Sequence, residues 1–201
     1  MSKLVFVSLC IPAAVVLACR GDRSSMSMAE IKIPPGANYT AADVRFMQGM
    51  IYHHGQALKM AAMAPTHGAG ESVQLLSQKI DVSQRDEIKA ISTWLADRHQ
   101  AVPDPSDPRP MTMPGMLTDA QLAALDRARD STFDRLFLTG MIQHHEGAIQ
   151  MVADLFATRG AGQASEIFRF ASDVDTDQRG EIQRMRAMLA SPTHSVPAHS
   201  P

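Results

Sequence analysis

Cysteine is almost missing from this chain. Of 201 residues two are cysteine, Cys10 and Cys19, and both fall in the first tenth of the sequence. No disulfide framework can therefore hold the remainder, and no thiolate cluster can bind a metal there. Aromatic residues are also few: one Trp, two Tyr and seven Phe, too few for a platform that stacks sugars or bases. Net charge is −2 and no basic stretch is interleaved with aromatics, which argues against nucleic acid as a partner. The longest apolar run, Leu4 to Ala18, falls short of the ~20 residues that span a bilayer. No segment alternates in the manner of a strand.

What remains plentiful is methionine and histidine, 14 and 8 residues. In a chain whose body lacks thiols, a soft metal site would have to come from thioethers and imidazoles. Thioethers also persist in an oxidising compartment without pairing off.

The N-terminus reads as an address. Lys3 followed by the apolar run makes residues 1–18 a signal peptide. Val16-Leu17-Ala18-Cys19 resembles a lipoprotein cleavage box with Cys19 as the lipidated residue, plain secretion being the alternative. A lipidated Cys19 would tether the protein to a membrane, and residues 19–38, with Pro34-Pro35-Gly36, would be the spacer. Residues 39–190 are expected to form one domain and residues 191–201 a loose tail.

Within that domain the chain repeats itself. Phe46-Met47-Gln48-Gly49-Met50-Ile51-Tyr52-His53-His54 returns as Phe137-Leu138-Thr139-Gly140-Met141-Ile142-Gln143-His144-His145, an offset of 91 (137 − 46). Met60 returns as Met151 at the same offset. Gln84-Arg85-Asp86-Glu87 returns as Gln178-Arg179-Gly180-Glu181, an offset of 94 (178 − 84). Such self-similarity predicts a duplicated helical hairpin.

Start and stop signals place the elements. Thr40-x-x-Asp43 opens a helix to about Ala64, and Pro65 to Gly70 turns the chain. A second helix runs from about Glu71 to Arg98. Five prolines between Pro103 and Gly115 forbid a regular element. Thr118-x-x-Gln121 opens a short helix to about Arg129. Long helices follow from about Thr132 to Thr158 and from about Gln163 to Leu189. The expected fold is an all-α, ferritin-like four-helix bundle of two hairpins joined by a long Pro-rich crossover with one short extra helix.

Helical phase sorts the polar residues. At ~100° per residue, His54 and His145 lie on the apolar faces of their helices, each with a methionine (Met50, Met141) one turn earlier. His53 and His144 lie at the flank, on the side of Met60 and Met151. Gln84 and Glu87 interrupt one apolar stripe, and Gln178 and Glu181 another. Buried carboxylates need a partner, a proton or a metal. Two His and two Glu in a bundle centre correspond to half the ligand set of a di-iron carboxylate bundle, but the chain has no Glu-x-x-His. The bland reading is a hydrogen-bonded network that specifies the bundle and binds nothing. Met111, Met113 and Met116 sit among prolines, where packing periodicity demands no methionine, and are further candidate ligands. Met26, Met28, His194 and His199 are weaker ones, Met185 and Met188 read as packing, and His67 and His99 read as solvated loop residues.

The doubled His-His-x-x-Ala-x-x-Met, with Met113-Pro114-Gly115-Met116-Leu117-Thr118 and Phe133-Asp134-x-x-Phe137, resembles a bacterial exported family, domain of unknown function 305. The resemblance covers most of residues 39–190 and implies a ferritin-like helical fold outside the cytoplasm that binds metal, copper above all. Glu146 extends the second histidine pair, whereas the first copy has Gly55 there.

The expected metal ligands are Met50, His53, His54, Met60, Glu87, Met141, His144, His145, Met151, Glu181 and the loop methionines. Copper is the expected ion, with iron or another transition metal as alternatives. A copper transport or efflux protein is the expected partner. Three functions compete: copper sequestration, resistance or transfer; a di-metal carboxylate–histidine oxidase; and a metal-free helical interaction module. No nucleophile or cofactor loop is evident, which favours binding over catalysis.

Overall fold

The computed structural model describes residues 31–107 and 113–191. The signal peptide, Cys19, Met26, Met28, Met111, His194 and His199 lie outside the described residues. Helices α1 (Ala41–Ala61) and α2 (Glu71–Asp97) form the first hairpin, with a single 3-10 turn (Ala64–Thr66) between them. The short α3 (Asp119–Arg127) follows the crossover, and α4 (Asp130–Ala157) and α5 (Ser165–Ala190) form the second hairpin. No strand occurs among the described residues.

Local chemistry explains the boundaries. Thr40 caps α1 in a reciprocal box: its Oγ1 accepts the Asp43 N–H at 3.2 Å, and Asp43 Oδ2 accepts the Thr40 N–H at 2.7 Å. Thr118 and Gln121 do the same for α3. Both hairpin turns contain glycines in the left-handed region, Gly68 at φ +68° and Gly160 at φ +78°.

Each hairpin also grips the turn of the other. Asp43 Oδ1, at the start of α1, accepts the Gly162 N–H at 2.7 Å. Asp134, its counterpart at the start of α4 (134 − 43 gives the same offset of 91), accepts the Gly70 N–H at 3.1 Å. Both aspartates are buried. Gly162 is buried whereas Gly70 is exposed, so it is Asp43→Ala that leaves a buried amide without its acceptor and should lose about 1–3 kcal/mol. Thermal unfolding measures it; an unchanged melting temperature would contradict the role.

The interior holds two apolar clusters. In α1 the first ends at Ile51 and the second begins at Ala57; in α2 the second ends at Ile80 and the first resumes with Ile91. In α4 the clusters part between Met141 and Ala148, and in α5 between Val174 and Ile182. Every long helix thus crosses a polar layer at mid-height, the layer of the histidines, Gln84, Gln178 and the two glutamates. Helices α1 and α4 cross it antiparallel. A Cβ placed on Gly49 would lie 3.4 Å from the Met151 methyl, and one on Gly140 would lie 3.3 Å from the Met60 methyl. Each repeat's terminal methionine packs on the other repeat's glycine.

The described parts of the crossover, before residue 108 and from Met113 on, form a strap laid on α1 and α4. A Cβ on Gly55 would come within 2.0 Å of Pro105 O, and one on Gly147 within 2.0 Å of Pro114 O. Gln56 holds the strap at both Leu117 N–H (2.7 Å) and Leu117 O (3.0 Å). Gly147→Ala drives a methyl into strap backbone, with no flexible side chain to yield. It should cost about 1–3 kcal/mol and expose the crossover to proteolysis before the helices melt. Cleavage kinetics equal to those of the parent protein would refute this.

One sequence reading is corrected. His67 is not a solvated loop residue. It is 6% exposed, donates from Nε2 to Asp126 O at 2.9 Å and packs on Phe133 at 5.0 Å between ring centroids. The cause is tertiary: α3 folds back over the first hairpin turn and closes on it. His99 is exposed, as the sequence suggested.

Candidate metal centre

The four histidines of the repeated motif are fully buried, each at 0% exposure. They occupy two tiers. His53 and His144 meet across the α1–α4 contact, ring centroids 3.8 Å apart and tilted by 41°. His54 and His145 point the other way, each to the glutamate of its own hairpin. His54 Nε2 lies 2.6 Å from Glu87 Oε2, and His145 Nε2 lies 2.6 Å from Glu181 Oε2. The glutamates are the outermost members, with side chains 18% and 16% exposed.

The partners fix the tautomers of the inner tier. A carbonyl oxygen can only accept. His53 Nε2 sits 3.0 Å from Pro114 O, and His144 Nε2 sits 2.9 Å from His53 O. Both rings therefore carry their proton on Nε2 and leave an unprotonated Nδ1. The Nδ1 atoms of all four histidines are buried and have no hydrogen-bond partner. Both amide atoms of Gln84 and Oε1 of Gln178, in the same layer, are also unpartnered. Unpartnered buried polar atoms so concentrated ask for an explanation.

Electrostatics keep the inner pair neutral. Burial, then the charge of His54, pushes His53 down to about 3, against the opposing bond to Pro114 O. Burial, then the charges of His53, His145 and His54, holds His144 well below the ordinary histidine range. Neutral imidazoles with free nitrogens are the form a metal binds.

The methionines divide. Met50 and Met141 are fully buried one turn before His54 and His145; Met60 is fully buried against Gly140. Half-buried Met113, from the strap, reaches the same spot as Met151: its Sδ lies 3.6 Å from a Cβ placed on Gly49. Met116 is half-buried. Glu146 faces outward to Arg186 at 2.7 Å and takes no part in the layer. Among the described residues no three histidine, cysteine, aspartate or glutamate side chains converge on a point suited to a metal ion. The layer opens to solvent between α2 and α5, at a cavity of about 240 Å³ lined by Asp86, Glu87, Asp173 and Asp177. Asp177 is pushed up by burial, then by the charges of Glu87, Asp173 and Glu181.

Sequence phase expected His54, Glu87, His145 and Glu181 to share one centre, with His53 and His144 at the flank; the structure instead pairs each outer histidine with the glutamate of its own hairpin and brings His53 and His144 together between α1 and α4. Phase did not reveal that His53 and His144 use backbone carbonyls, because a carbonyl acceptor leaves no mark in residue identity. Pro114 and Gly115, quoted only as motif, were the available signal.

A four-helix bundle of two repeated hairpins, with histidine, glutamate and methionine gathered at mid-height, defines the class. The family profile for the domain of unknown function DUF305 matches residues 43–189. The chain belongs to the DUF305 family. Solved structures agree. A DUF305 fragment from Deinococcus radiodurans is 32% identical, with 75% of this chain and 97% of that one covered and a TM-score of 0.66. A DUF305 protein from Streptomyces coelicolor is 28% identical, covering 77% and 94%, with a TM-score of 0.66. CopM in its Cu(II)-bound form is 30% identical, covering 73% and 94%, with a TM-score of 0.60. CopM has also been solved with Cu(I) and with silver. No curated protein matches the chain by sequence.

Proposed function

We propose that this chain binds copper outside the cytoplasm and sequesters it or hands it on, through residues 39–190. The observation that supports this most is the set of four fully buried imidazoles whose Nδ1 atoms have no protein partner. Met50 and Met141 stand one turn from His54 and His145, so an Nδ1 and a thioether can meet on one helix surface, ~5–6 Å apart at Cβ. Copper(I) accepts two or three soft ligands, so it does not need the convergence of three imidazoles or carboxylates that the described residues lack. CopM, similar in fold and at 30% identity, binds copper and silver, which supports the same chemistry here.

A di-metal oxidase is less well supported, since both glutamates are engaged by histidine and no three such ligands converge. The metal-free reading draws on the same fact: every Nε2 of the four histidines already has an acceptor. Equilibrium dialysis with elemental analysis, in reducing and oxidising buffer, separates the two. Retained copper supports the proposal; copper at the level of the buffer returns the histidines to a structural network.

An exported location rests on the N-terminal pattern, and the Streptomyces coelicolor neighbour is a candidate secreted protein. Among the described residues no helix is long and apolar enough to cross a membrane. A lipid on Cys19 would then supply the anchor, beside a copper transport or efflux protein that receives the ion.

A further inference from the structure

We infer that Glu87 and Glu181 are positioning residues rather than metal ligands: they hold His54 and His145 as Nε2–H tautomers, so that Nδ1 is the atom offered to the metal. The inference rests on the copper reading above for its ligand and on hydrogen-bond geometry for its content. Each glutamate places Oε2 2.6 Å from an imidazole Nε2, the short distance of a charge-assisted bond. The arrangement is built twice, although the repeat offset is 91 at the histidines and 94 at the glutamates. Glu87 Oε1 is also taken, by the Ser83 hydroxyl at 3.2 Å, so neither oxygen of that carboxylate is idle.

The far side of each ring completes the argument. His54 Nδ1 and His145 Nδ1 are buried without an acceptor, so a proton there would be an unsatisfied buried donor. The carboxylate on one nitrogen and the lack of any acceptor at the other select the same tautomer. His53 and His144 reach it by another route, through the carbonyls of Pro114 and His53. All four rings thus present the same nitrogen, and two carboxylates sit behind the outer pair. A carboxylate behind an imidazole raises its basicity and fixes its orientation, and losing such a partner typically weakens metal binding 10–100-fold.

The test uses the full-length protein without metal and then with copper(I). Long-range ¹H–¹⁵N correlation of the metal-free protein should show His54 and His145 unprotonated at Nδ1. Glu87→Gln, whose amide oxygen still accepts from Nε2, should keep that signature and lose no more than about tenfold in copper(I) affinity. Glu87→Leu should scramble the tautomer and lose about 10–100-fold. Glu87→Gln weakening copper as much as Glu87→Leu while the tautomer stays intact would make the glutamate a ligand and overturn the inference. So would a protonated Nδ1 in the parent protein, a readout that needs no variant to fold. A parent protein that binds no copper but shows the stated tautomers would instead sink the proposed function and leave the positioning geometry standing.

Discussion

As the pH falls below about 6.5, the metal-free protein should lose stability steeply, and His53 with His144 should account for most of the slope. Both have folded-state values below the ordinary one, His53 at about 3. Between those limits the unfolded chain binds protons that the folded one refuses. Stability therefore rises with pH in this window: it is fully present above about 6.5, is lost as pH falls below it, and levels off only below the folded values. His53 contributes a slope of about 1.4 kcal/mol per pH unit, roughly 2–3 kcal/mol in two units, and His144 adds in the same direction. That is a large share of the stability of many domains, about 5–15 kcal/mol. His54, His145, Glu87 and Glu181 share the layer, so the comparison that isolates the effect uses a variant. His53→Gln with His144→Gln keeps an N–H donor for each carbonyl but has no charge to acquire. Urea midpoints from pH 7.5 to 4 should fall much less in that variant. Parallel pH profiles for variant and parent would show that the inner histidines do not carry the acid lability.

The helices were legible because their punctuation is local. Thr40 with Asp43, Thr118 with Gln121 and the glycines of the turns announce themselves within a few residues. The observed ends, Ala61, Asp97 and Ala157, fall within a few residues of those expected. The polar layer was legible for a different reason. In both copies a histidine and, on the next helix, a glutamate fall inside apolar stripes, His54 with Glu87 and His145 with Glu181, which leaves little other place for them than the interior. What escaped were contacts between groups far apart in the chain. Asp43 declared itself as a cap through one oxygen, yet its other oxygen holds Gly162 across the bundle. Gly55 stood out only as the residue opposite Glu146 in the repeat, and neither it nor Gly147 announced the crossover backbone that lies against both. His67 carries no pattern that separates burial under α3 from exposure in a turn. The two tiers of histidine were half legible: phase separated His53 from His54, but not what each would meet.

The division between thioether and imidazole gives the sharpest expected result on function. Imidazole suits copper(II) and copper(I) alike, whereas a thioether favours copper(I). Met113 and Met151 both reach the Gly49 face, so the strap brings one of its methionines beside one from α4. Replacing both by leucine conserves volume and should leave unfolding nearly unchanged, within about 1.5 kcal/mol. Copper(I) affinity should fall by about tenfold or more, while copper(II) binding stays within about twofold. His54→Gln with His145→Gln should act in reverse order: copper(II) binding falls most, because the chief nitrogen donors of the outer tier are gone, and some copper(I) remains on the strap methionines. Affinities come from competition with chelators of known strength, with circular dichroism confirming that each variant keeps its helices. The two variants need not be equally stable for the test to hold, since the comparison is between two oxidation states on the same folded protein. If the methionine variant weakens both ions alike, the strap acts on the site through packing and the thioethers are not ligands. If the histidine variant weakens neither, the buried imidazoles serve the fold alone and the copper reading fails at these positions.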